Sequence, residues 1–93
     1  MKWAGGRSLT AKREAMETLY LLAEIELGQL DEVLRRVREV PHVAEVEAVT
    51  GPFDLIIKLE ATHINEALDV VMQRIRRIPG IKSTETLITV TVP

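Results

Sequence analysis

Two hydrophobic periods take turns along this chain. In TLYLLAEIEL, residues 18–27, Leu19, Leu21, Ala23, Ile25 and Leu27 fall at every second position, the mark of a strand with one buried face. QLDEVLRRVREV, residues 29–40, changes to steps of three and four, so that Leu30, Val33, Leu34, Val37 and Val40 form one helical stripe. Asp31 and Glu32 in its first turn and Arg36 and Arg38 near its end suit the helix dipole, and Pro41 stops it. HVAEVEAV (42–49) and FDLIIKLE (53–60) predict two further strands, joined by the short Thr50-Gly51-Pro52 connection. HINEALDVVMQRIRRI (63–78) predicts a second helix capped by Thr62, with Ile64, Ala67, Leu68, Val71, Ile75 and Ile78 on its core face and Pro79-Gly80 at its end. KSTETLITVTV (82–92) reads as a threonine-rich last strand.

A short repeat supports this division. VREVPHV (37–43) and IRRIPGI (75–81) align at a constant offset, each running from a helix end through proline into a strand. The element order is therefore βαβ followed by βαβ. Two such split units in one sheet predict an α+β, ferredoxin-like βαββαβ fold, an antiparallel four-stranded sheet with both helices on one face. Right-handed crossovers place strands one and three in the centre, giving the order 4-1-3-2. Residues 18–93 then form the domain, and residues 1–17 an arm in which AGGRS reads as linker and LTAKREAME as a short helix capped by Thr10.

The helices can cover only one face of this sheet. The other face carries Tyr20, Leu22, Glu24 and Glu26 from strand one and Asp54, Ile56, Lys58 and Glu60 from strand three, with Leu87, Thr89 and Thr91 from the last strand. Tyr20, Leu22, Ile56 and Leu87 would make an apolar patch rimmed by charge, a pattern that marks association surfaces. A second copy packed face to face would bury it, so a homodimer closing as an α+β barrel or sandwich is expected. A domain of 93 residues buries a modest share of its surface by itself, which adds to the case for a partner subunit.

Composition removes several chemistries. A formal net charge of −2 provides no broad attraction for nucleic acid or anionic lipid, although the arm concentrates Lys2, Arg7, Lys12 and Arg13 against Glu14 and Glu17. Cysteine is absent, so there is no disulfide framework, no thiolate nucleophile and no copper-carrier Cys-x-x-Cys. One Phe, one Tyr and one Trp are too few for base stacking on the central strands. No apolar run approaches the ~18 residues of a membrane span, and MKWAGGRSLT lacks the apolar core of a signal peptide, so a cytoplasmic protein is expected. His42 and His63 have no acidic neighbours at ligand spacing, Ser8 and Ser83 have no visible base, and the arginine pairs 35–36 and 76–77 fall where they complement helix dipoles. No catalytic residue, metal site or cofactor is expected.

Two segments remain unexplained by packing alone. Thr50-Gly51-Pro52-Phe53-Asp54 lies between strands two and three, and Gly80-Ile81-Lys82-Ser83-Thr84-Glu85-Thr86 leads into strand four. Together they resemble the signature of the effector-binding domain of the leucine-responsive/AsnC (Lrp/AsnC) transcription regulators, over about residues 18–92. The resemblance implies a dimer of face-to-face sheets, a ring of dimers as the larger assembly, and an amino-acid effector held in the cleft between neighbouring dimers. Those regulators carry an N-terminal helix-turn-helix, and the 17 residues before the domain are too few for one. A stand-alone effector domain without specific DNA binding of its own is therefore expected, with full-length regulators as candidate partners.

For an amino acid, Asp54 can accept a charge-assisted hydrogen bond from the ammonium, Gly51 allows close backbone approach, and Thr84 and Thr86 offer hydroxyls. With Thr50 and Phe53 these make up the candidate ligand site. The competing reading is that Gly51-Pro52 is turn chemistry and Asp54 caps backbone N–H groups. Pro52 itself brings no N–H to a ligand carboxylate. Three functions follow in order: an amino-acid-binding regulatory module; a small dimeric α+β barrel enzyme of the cofactor-free monooxygenase type; and a structural module that co-assembles with full-length regulators.

Overall fold

The computed structural model describes residues 16–90; the expected helix at Thr10 and Thr91 of the open face lie outside that range. The elements are β1 (Glu17–Ile25), α1 (Leu30–Val37), β2 (Val43–Ala48), β3 (Leu55–Ala61), α2 (Ile64–Val70) continued by a π-helical segment (Val71–Ile75), and β4 (Ile81–Ile88). The sheet runs β2-β3-β1-β4, all neighbours antiparallel, which is the expected order read from its other edge.

The period of two seen in the sequence becomes the core. Leu19, Leu21 and Ala23 of β1 and Leu55, Ile57 and Leu59 of β3 are fully buried, and the residues between them are half-exposed. Val33 and Val37 of α1 and Ala67, Val71 and Ile75 of α2 and its continuation close the layer from above. No polar or charged residue is buried among the described residues, so this core stands on apolar contact alone. Strand β1 is shorter than its alternation suggested. It ends at Ile25, and Leu27, expected on the buried side, is fully exposed in the turn that follows.

Helix α1 also ends early, at Val37 instead of residue 40. The last three residues tighten into turns of the i→i+3 type, Glu39 N–H to Arg36 O at 3.1 Å and Val40 N–H to Val37 O at 3.0 Å, because Val40 precedes Pro41 and is pushed out of helical geometry. Val40 stays buried nonetheless. On the outer face Glu32 accepts from Arg35 Nη2 at 2.5 Å and Arg36 Nε at 2.9 Å. These hydrogen bonds, Arg35 first, hold its carboxyl down from 4.5 to about 2. A depressed carboxyl stabilises the fold in full above the unfolded value and stops doing so as pH falls towards the folded one. Glu32→Gln should therefore flatten the part of the acid-unfolding curve below pH 4.5, as followed by circular dichroism.

The second helix departs from expectation at both ends. Thr62 does not cap it. His63 holds the N-cap position without a side-chain bond, and the Ile64 N–H is met at 2.5 Å by Glu17 Oε1 from the start of β1. A carboxylate from a neighbouring strand thus satisfies one of the orphan donors of the first turn. Further along, Arg76 N–H reaches Val71 O at 2.9 Å, a five-residue step. The buried positions explain the widening. Ala67, Val71 and Ile75 are four apart, and in a regular helix each such step overshoots by about 40°. A wider turn keeps Val71 and Ile75 both on the core side.

Candidate functional site

Both signature segments converge on the end of β1. The Ile25 N–H donates to Asp54 Oδ2 at 2.8 Å on the β3 side, and the Glu26 N–H donates to Gly80 O at 2.7 Å on the β4 side. Asp54 also donates its own N–H to Ala23 O and accepts from Val49 N–H, each at 2.9 Å, closing the β2–β3 turn. Its carboxylate takes the place of the main-chain carbonyl, that of Phe53, which would face the Ile25 N–H if the β1–β3 register continued. Among the described residues the other oxygen, Oδ1, has no hydrogen-bond partner. Asp54→Ala orphans the part-buried Ile25 N–H and should lower stability by about 1–3 kcal/mol, measured by urea unfolding.

The glycines of the two segments serve different ends. Gly80 (φ 103) lies so close to α1 that an added Cβ would sit 2.8 Å from Val33 Cγ2 and 2.9 Å from Gln29 Cβ. Gly51 (φ 130) has nothing within 4 Å of that position. Its backbone angle demands glycine, and the space above it is open. Thr50 and Pro52 are exposed beside it, and Phe53 is half-buried.

Thr84 and Thr86 pair with Ala23 and Leu21, both buried under the helices, so their side chains lie on the helix face of the sheet. Asp54 precedes the buried Leu55 and therefore starts from the opposite face. The expected ligand residues thus share one end of the sheet, but within one protomer they occupy its two sides, about 10 Å apart across β1. Thr84 and Thr86 line a cleft of 510 Å³ between β4 and the second helix, whose apolar wall is Leu68, Val71 and Met72. Arg76 and Lys82 lie at the same cleft. Sequence reasoning read Arg76 as a complement to the helix dipole and gave Lys82 no role of its own; the signal for a shared site was their placement on either side of the Pro79-Gly80 turn, which only the folded chain turns into opposite walls of one groove.

On the open face the expected patch is present. Leu22 pairs with Ile56 and Tyr20 with Leu87, so the four side chains are contiguous; Leu87 is 46% exposed and the others half-buried. Around them stand Glu24, Glu45, Glu47, Glu60 and Glu85, facing Lys58, which approaches Glu60 at 3.5 Å. Ser83 donates to Glu24 Oε1 at 2.6 Å, tying β4 to β1 on this side.

No group of three or more His, Asp or Glu side chains among the described residues is arranged to hold a metal ion, and no helix among them is long and apolar enough to cross a membrane. The sheet order and the two helices on one face define the ferredoxin-like βαββαβ class. A family model of the Lrp/AsnC ligand binding domain matches residues 18–93, and the chain belongs to that family. It is 30% identical over 69 residues to the HTH-type transcriptional regulator FL11 of Pyrococcus horikoshii, covering 74% of this chain and 45% of that protein. The chain thus spans about half the length of that relative. The crystal structure of TTHA0845 from Thermus thermophilus superposes with a TM-score of 0.77 at 32% identity, over 83% of this chain and 96% of that one. Homocitrate synthase of Sulfurisphaera tokodaii matches at 39% identity over 54 residues, 58% of this chain but 12% of that enzyme.

Proposed function

We propose that this domain is an amino-acid-responsive regulatory module that works as an assembly of at least two copies. The observation that carries the reading is the meeting of both signature segments at the end of β1: a ligand seated there touches the β2–β3 turn and, through one strand, the start of β4. Asp54 keeps one oxygen for Ile25 and presents the other to the ligand ammonium. Thr50 and the open space over Gly51 receive the rest of its polar end, and Phe53 borders it. Because Thr84 and Thr86 lie on the other sheet face, they reach a ligand at this end only when a neighbouring copy supplies them. The site is therefore completed by assembly, which couples effector binding to oligomeric state. The regulators among the relatives favour this reading over an enzyme, and the homocitrate synthase match is confined to a small part of that protein.

A thermal-shift panel of the twenty amino acids tests it. A ligand that binds only the native protein raises its melting temperature, and one or a few amino acids should do so. Asp54→Asn still accepts from Ile25, so its melting temperature without effector should stay close to that of the parent. Its affinity by calorimetry should fall by roughly thirtyfold or more, the loss expected when a partly shielded charge loses its partner. A flat panel at millimolar concentrations, or unchanged affinity in Asp54→Asn, would remove amino-acid sensing at this site.

A further inference from the structure

The cleft between the second helix and β4 has a chemistry of its own. Every charged group lining it is a cation, Arg76 or Lys82, and neither has a carboxylate within ion-pair distance among the described residues. Among the described residues the Arg76 guanidinium donates only to the Met72 thioether, at 3.0 Å, a weak acceptor that a carboxylate would displace. β4 is an edge strand. Since Thr89 N–H donates to Thr18 O, antiparallel alternation turns the N–H groups of Thr84 and Thr86 outward, beside their hydroxyls. The groove thus combines two free cations and a row of neutral donors with an apolar wall of Leu68, Val71 and Met72, in a volume suited to a small molecule.

We propose that this cleft binds a small organic acid that carries an apolar chain and no ammonium group, the α-keto acids being the class that fits it best. The carboxylate is held by Arg76 and Lys82, the neighbouring keto oxygen accepts from the donors of Thr84 or Thr86, and the chain lies against Leu68, Val71 and Met72. An amino acid with the same chain places its ammonium among cations with no acid to receive it, so the cleft rejects it by charge. This site lies within one protomer, across the sheet from Asp54, and stands whether or not the amino-acid reading holds.

Calorimetry with the α-keto acid of leucine, set against leucine itself, tests the proposal on the full chain, with hydrogen exchange to locate the ligand. The keto acid should bind and slow exchange across residues 82–86 and 68–76, and leucine should leave residues 68–76, which take no part in the Asp54 site, unchanged. Arg76→Gln combined with Lys82→Gln should weaken the keto acid by about tenfold or more while leaving the melting temperature of the ligand-free protein unchanged. Any of three results overturns the proposal: no binding at millimolar keto acid, equal protection of residues 68–76 by leucine, or unchanged affinity in the double variant. Strong protection of the outward-facing Thr84 and Thr86 amides without ligand would also overturn it, since that edge would then be paired with another chain. Failure here leaves the Asp54 experiment untouched, because neither cation belongs to that site.

Discussion

Leu22→Glu should convert an assembled protein into a folded monomer. Leu22 sits at the centre of the open face, paired with Ile56 on β3 and Glu85 on β4. In a face-to-face dimer it is dry, and a two-fold axis places two copies of the new carboxylate in one interface. Each loses its water without gaining a partner, and each lies beside Glu85 of its own sheet. Removing a charge from water unpaired costs several kcal/mol, so association should weaken by about a hundredfold to several thousandfold. The fold itself should survive, because Leu22 is only half-buried in the protomer and lies outside the helix-side core. Light scattering after gel filtration reads both states. A parent protein that runs as a monomer at micromolar concentration would remove the premise, and a Leu22→Glu variant that remains a dimer would place the interface elsewhere. The rim gives a second readout. Glu24, Glu45, Glu47 and Glu85 outnumber Lys58, so added salt should strengthen self-association by screening like charges that the apolar centre brings together.

Gly80→Ala should produce the largest loss of stability among single-methyl changes. Two penalties act at once. The residue has φ 103, where a side chain is strained, and the new Cβ would meet Val33 Cγ2 at 2.8 Å and Gln29 Cβ at 2.9 Å. Val33 is fully buried and cannot swing away. Backbone strain of about 1–2 kcal/mol and overpacking of about 1–3 kcal/mol together predict a loss of about 2–5 kcal/mol. For a domain this size that corresponds to a melting temperature lower by roughly 10 °C or more. Gly51→Ala is the control, since it carries the backbone strain without the collision. It should cost clearly less. Equal losses at the two positions would show that conformation alone, and not the approach of α1, makes glycine necessary at residue 80.

The difference between these glycines shows how far the chain could be read in advance. Both were visible as turn residues, and both belong to the segments that resemble the family signature. Nothing in the linear order shows that α1 passes over Gly80 and leaves Gly51 open, because that depends on where a helix distant in sequence comes to rest against a turn. The Thr62 cap failed for the same reason. Sequence rules look for a capping residue next to the helix, and the acceptor came from Glu17 on another strand. The π-helical turn was encoded in the four-residue spacing of Ala67, Val71 and Ile75, but that spacing is also tolerated by a regular helix until a flat sheet beneath demands one direction from all three.

What the amino-acid order determined by itself is the set of local choices: where the period is two and where it is near four, which residues turn the chain, and hence the strand order and the face left open. Those follow from backbone geometry and the burial of alternate side chains, which are properties of neighbouring residues. Only the tertiary structure decided what the polar residues do. Asp54 and Gly80 became the two clasps at the end of β1 because three strands end together there. Thr84 and Thr86 were separated from Asp54 by the pleat of one sheet, and Arg76 and Lys82 were brought to a common cleft by a turn that folds helix back on strand. Apolar burial is non-directional and survives a coarse reading of the chain, whereas a hydrogen bond or a charge acts over a few ångströms and depends on which distant residues the fold sets within reach.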